Sequence, residues 1–127
     1  FMKGLGLVHA ISHMVGAEYD THHGLTNAIA LPAVLRFNEP AITDEVPPLA
    51  QALGIKDPSL TALYCAICSL LDSLAIPATL AEIGPTPDSV SRLAKKTALD
   101  TAATTNPRIA SIVEIEATIT EALIHGR

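Results

Sequence analysis

The stretch from Gly4 to Pro32 reads G-L-G-L-V-H-A-I-S-H-M-V-G-A-E-Y-D-T-H-H-G-L-T-N-A-I-A-L-P and holds four of the five histidines in the chain. Two apolar runs flank a polar break at Asp20, Thr21, His22 and His23, a pattern that predicts two helices joined by a short turn. His9 and His13 are spaced i, i+4 in the first run. On an α-helix their rings share a face, about 40° apart around the axis and about 6 Å apart along it. A helix hairpin carries His23 back towards this pair, so that three imidazoles converge. A lone histidine on an apolar face is ordinarily a core residue with its hydrogen bonds satisfied, whereas an i, i+4 pair followed by a His-His-Gly turn points to a metal site. Imidazole donors suit Zn, Fe, Ni or Cu. The carboxylates nearest in sequence are Glu18 and Asp20.

Outside this stretch the chain reads as scaffold. Its 127 residues allow one domain with a modest core. Hydrophobic residues make up 49% and aromatic residues only 3%, so the core is built from Leu, Ile, Val and Ala, which favours packed helices over a sandwich. A formal charge of -5 without a Lys/Arg cluster argues against nucleic acid or an anionic membrane as partner. No uninterrupted apolar run approaches the roughly 18 residues of a membrane span. Cys65 and Cys68 form a C-x-x-C inside an apolar run with no second pair, which predicts two buried core thiols rather than a zinc or redox site. The absence of a disulfide framework fits a cytoplasmic protein.

The helices are marked by their ends. The first is predicted from about Leu5 to Ala17. Gly4 and Gly6 loosen its start and suit close backbone approach to a cofactor or a neighbouring helix, or else a plain loop. The second is predicted from His23 or Gly24 to about Asn38, with Pro32 inside it. Pro47-Pro48 and Gly54 bracket a short third helix over Leu49 to Leu53. Asp57-Pro58 reads as an N-cap followed by proline at the first helical position. From it Leu60, Leu63, Tyr64, Ile67, Leu70, Leu71 and Leu74 recur at the helical period, predicting a broad buried face at the centre of the core. Thr86-Pro87 opens a helix carrying Val90, Leu93, Ala94 and Ala98, with Arg92, Lys95 and Lys96 on its solvated face. Ser111 and Glu114 form a capping box for a last helix ending near His125-Gly126. His125 is expected to be exposed at that helix's C-terminus. The fold class predicted is all-α, a helical bundle.

The run F-M-K-G-L-G-L-V-H-A-I-S-H, then Gly16-Ala17, H-H-G-L-T-N-A-I-A-L-P and the R-F-N of Arg36 to Asn38 resembles the helical C-terminal domain of the iron-containing (group III) alcohol dehydrogenases. Leu99-Asp100 and the T-N-P-R of Thr105 to Arg108 extend the resemblance over nearly the whole chain. It implies that His9 and His23, fourteen residues apart, are metal ligands, and that His13 lies beside the nicotinamide. The i, i+4 pair is therefore divided between two roles, and His22 is left unassigned. Gly4 and Gly6 are expected to line the cofactor cleft.

The family's other ligands, spaced D-x-x-x-H, and the Gly-rich turns of its nucleotide domain have no counterpart here. Asp20 with His23 is one residue too short. With the opening Phe1-Met2, this suggests the metal-binding C-terminal domain of a two-domain dehydrogenase, lacking its first helices and its N-terminal nucleotide-binding domain. The function implied is a metal-dependent, NAD- or NADP-linked alcohol dehydrogenase or aldehyde reductase using Fe²⁺ or Zn²⁺ on a small alcohol or aldehyde. These 127 residues alone are expected to bind metal weakly, to bind no NAD(H), and to self-associate through uncovered apolar faces; the whole enzyme is expected to be a homo-oligomer. Two other classes use the same residues differently: a helical metal-dependent hydrolase, and a non-catalytic helical interaction module.

Overall fold

The computed structural model describes residues 4–127, and among them there is no β-strand. Six α-helices follow in chain order: α1 Gly6–Tyr19, α2 His23–Asn38, α3 Val46–Ala52, α4 Leu60–Ser73, α5 Val90–Ala98 and α6 Ile112–Thr120. Each begins or ends close to where the sequence signals place it. Pro47 and Pro48 lie in the first turn of α3, where the missing N–H has no helical partner to lose. Ser111 Oγ accepts from the Glu114 N–H and the Glu114 carboxylate accepts from the Ser111 N–H, closing the expected box at the start of α6. A wider turn, Glu121–His125, continues α6 to Gly126 and leaves His125 exposed.

One start signal resolves differently. Ser59, not Asp57, caps α4 by accepting from the Ala62 N–H at 3.2 Å, while Asp57 Oδ1 accepts from the Ser59 N–H at 3.0 Å. Asp57 forms a local side-chain turn, and Pro58 precedes the cap instead of following it.

The core is also displaced from its predicted centre. Leu7, Ile11 and Val15 of α1 pack with Ile29 and Val34 of α2, Leu93 and Ala94 of α5, and Ile115 and Ile119 of α6, all buried. The helix α4 belongs to a smaller cluster, where Leu63 meets Ile42 and Val46 and where Ile67 is only partly covered. Of its predicted buried face, Leu63 and Leu71 are buried, but Leu70 and Leu74 are 58% and 61% exposed. Periodicity marks an apolar side without fixing how much of it other elements cover, and α4 packs against α2 and α3 alone among the helices with substantial contact. The same placement overturns the expectation for the thiols: Cys65 is exposed and Cys68 half-buried.

Candidate metal centre

The helix α1 ends where Asp20 adopts a left-handed conformation (φ 53°) and its N–H bonds the Gly16 carbonyl at 3.0 Å. Aspartate tolerates this geometry better than most residues. The chain then doubles back over α1, with the Thr21 carbonyl 3.7 Å from the position a Gly16 Cβ would take. His22 caps α2 through Nδ1, which accepts from the Leu25 N–H at 3.4 Å. This gives His22 a structural role that its sequence position did not disclose. His23 is thereby set over the middle of α1, where the Ser12 hydroxyl lies 3.0 Å from its Nδ1.

The turn thus brings the three histidines together. Ring centroids are 5.0 Å apart for His9 and His23, 5.4 Å for His13 and His23, and 6.0 Å for His9 and His13. One ring nitrogen from each lies within 4.8 Å of the others, and among the described residues no carboxylate or thiol joins the group. The sequence neighbours Glu18 and Asp20 do not contribute. Glu18 faces away to Arg92 and Lys96 of α5, and Asp20 is exposed at the turn.

The donor set fits a borderline transition-metal ion. His9 Nδ1 is buried without a hydrogen-bond partner, an arrangement that costs free energy until the lone pair or proton is engaged. Burial holds the His9 pKa below its ordinary value, and His23 and His13 push it down further. A neutral imidazole, the form that binds metal, is therefore favoured at His9.

Asp100 is the residue that the sequence analysis did not place in the site. Its Oδ2 lies 3.0 Å from His13 Nδ1, while its Oδ1 accepts from the Ala102 N–H at 2.7 Å and caps the turn Thr101–Thr105. The two residues are 87 positions apart. No local signal links them, although Leu99-Asp100 is among the residues that carry the resemblance. A carboxylate on Nδ1 fixes the ring and the tautomer of a histidine that works through Nε2.

Gly4 and Gly6 both have φ 75°. A Cβ on Gly4 would stand 2.3 Å from the Thr105 side chain, and one on Gly6 would stand 3.2 Å from Asn106 Oδ1. The close approach expected of them is made to the chain's own T-N-P-R stretch. Thr105 Oγ1 accepts from the Leu5 and Gly6 N–H groups, and Asn106 Oδ1 accepts from the Leu7 N–H at 3.0 Å, so the first amides of α1 are already engaged.

A family model described as the C-terminal part of the Fe-containing alcohol dehydrogenase family matches residues 2–123. The NAD-dependent methanol dehydrogenase of Bacillus methanolicus is 34% identical over 126 residues, which cover 94% of this chain and 33% of that protein. The methanol:N,N-dimethyl-4-nitrosoaniline oxidoreductase of Amycolatopsis methanolica is 44% identical over 95 residues, 70% of this chain and 21% of its own length. Among solved structures, a 1,3-propanediol oxidoreductase superposes with a TM-score of 0.87 at 31% identity, covering 93% of this chain and 32% of that one. The chain thus spans a third or less of the proteins it matches. On the family match together with the fold, the chain belongs to the Fe-containing alcohol dehydrogenase family and corresponds to its helical C-terminal region.

Proposed function

We propose that the protein carrying this chain is a metal-dependent, NAD- or NADP-linked alcohol dehydrogenase that interconverts a small alcohol with its aldehyde or ketone. The observation that carries the reading is the convergence of the three imidazoles of His9, His13 and His23, in a chain of this family. Fe²⁺ or Zn²⁺, held there by the imidazoles, would supply Lewis acidity toward an alcohol oxygen, and NAD or NADP would supply the hydride acceptor.

In this reading His9 and His23 donate neutral lone pairs to the ion. His13, fixed by Asp100 at Nδ1, holds or moves a proton at Nε2 and orients the nicotinamide ring. The turn at Gly4 and Gly6 forms an edge of the cofactor cleft by bare backbone surface, since its amides are bonded to Thr105 and Asn106. The nucleotide-binding domain, a homo-oligomeric assembly and a cytoplasmic location complete the reading. No helix among the described residues is long and apolar enough to cross a membrane.

The test uses the whole protein with NAD(H) or NADP(H), simple alcohols and elemental analysis. His9→Ala and His23→Ala are each expected to remove most of the bound metal, whereas His13→Ala keeps the metal and lowers turnover. Equal loss of metal in His13→Ala makes His13 a ligand and overturns the division of roles. Absence of nicotinamide-dependent turnover in the metal-loaded protein overturns the function.

A further inference from the structure

We propose that Ser12 is a positioning residue that holds His23 in the Nδ1–H tautomer, leaving the Nε2 lone pair for the metal. The metal half of this inference rests on the function proposed above; the tautomer half stands on hydrogen-bond logic alone.

Ser12 is only 1% exposed and touches His23 twice: its Oγ lies 3.0 Å from Nδ1 and 3.1 Å from the backbone carbonyl oxygen. A hydroxyl has one proton to give and two lone pairs to receive. The carbonyl can only accept, so the Ser12 proton goes to it. The contact with Nδ1 is then a hydrogen bond only if Nδ1 carries the proton and donates to Oγ. Any other assignment leaves one of the two contacts unmade at a buried hydroxyl.

The opposite side of the ring gives the same answer. Asn27 Nδ2 lies 3.1 Å from His23 Nε2. An amide nitrogen donates, so Nε2 must accept, which again makes Nδ1 the protonated nitrogen. Turning the Asn27 amide over would need a proton on Nε2, in conflict with Ser12. Asn27 Oδ1 is meanwhile buried without a partner. The contact to His23 is the one side-chain hydrogen bond that Asn27 makes among the described residues.

The Ser12 contact does for His23 what Asp100 does for His13: each fixes Nδ1 from outside and leaves Nε2 available. A donor that must first exchange tautomers and reorient binds a metal more weakly. Loss of such an outer partner ordinarily costs about 10–100-fold in metal affinity.

The experiment is ¹⁵N-histidine NMR on the metal-free whole protein, followed by Zn²⁺ titration, for wild type, Ser12→Ala and Ser12→Thr. Wild type is expected to show a pyrrole-like Nδ1 and a pyridine-like Nε2 at His23. Ser12→Ala is expected to give a tautomer mixture and a Zn²⁺ affinity lower by about 10–100-fold, and Ser12→Thr, which keeps the hydroxyl, to restore both. A wild-type His23 protonated at Nε2, or an unchanged tautomer in Ser12→Ala, overturns the assignment. Wild type that binds no Zn²⁺ but shows the expected tautomer overturns the proposed function and leaves the Ser12 assignment standing.

Discussion

Asn106→Ala removes the group that joins the start of α1 to the end of α2. Asn106 is 7% exposed and Asn38 is 9% exposed. Asn106 Oδ1 accepts from the Leu7 N–H at 3.0 Å and from Asn38 Nδ2 at 3.2 Å, and its Nδ2 donates to Asn38 Oδ1 and the Arg108 carbonyl, both at 2.7 Å. Alanine leaves the Leu7 N–H, both ends of the Asn38 amide and the part-buried Arg108 carbonyl without these partners. Each orphaned buried group costs about 1–3 kcal/mol. Water entering the vacated space satisfies part of this need, which brings the expected loss to on the order of 3–5 kcal/mol, a large share of the roughly 5–15 kcal/mol that holds a domain folded. Urea denaturation monitored by circular dichroism reads it as a lower midpoint at unchanged slope. In a double-mutant cycle, Asn38→Ala added to Asn106→Ala is expected to cost far less than Asn38→Ala alone, because the two amides lose the same bonds. A loss below about 1 kcal/mol, or simple additivity in the cycle, refutes the assignment of this pair as the tie between the helices.

Leu93→Ala, in the main cluster, is expected to cost about 2–5 kcal/mol, whereas Leu70→Ala on the exposed side of α4 is expected to cost less than about 1 kcal/mol; equal midpoint shifts would return the core to α4. Glu18, held by hydrogen bonds from Arg92 and, more weakly, Lys96, has its pKa lowered from 4.5 to about 2. A depressed carboxylate contributes stability that is fully present above pH 4.5 and is lost as the pH falls towards about 2. Arg92→Ala should flatten that part of the stability curve, and an unchanged curve would exclude the pair as its source.

How far the sequence carried is clear from individual residues. Ser111 and Glu114 announced a helix start because capping is local: donor and acceptor are three residues apart, and the physics closes within one turn. His9 and His13 were legible as neighbours for the same reason, and His23 joined them through a turn that the polar break at Asp20 to His23 marked. The role of Asp100 was not legible. Its contact with His13 depends on how α5 packs on α1, and no periodicity encodes a pairing across 87 residues. Ile67 and Leu70 failed for a related reason. Their spacing promised an apolar face, but coverage depends on which helices pack opposite, and the main core forms between α1, α2, α5 and α6, away from α4. Ser12 was hidden in plain view, a small polar residue in an apolar run whose meaning appears only when His23 is folded back upon it.

The residues that hold α1 explain why the fold and the site are one problem. Thr105 and Asn106 take its first amides, Asp100 takes His13 in its middle, and Arg92 and Lys96 take Glu18 near its end. The segment from Arg92 to Asn106 therefore grips α1 along its length, while α2 supplies His23 from the other side. The separation of His9 and His13 is fixed by helix geometry alone. The separation of either from His23 is fixed by the packing of α1 on α2 and by the turn that joins them. A shift of α1 on α2 moves His9 and His13 together relative to His23, opening the cluster without altering any donor. At the proposed metal site, affinity would then depend on buried contacts such as that of Asn106 with Leu7, although neither residue belongs to the histidine cluster. Cys65 and Leu70 on α4 lie outside that packing, so substitutions there leave the three imidazoles where they are.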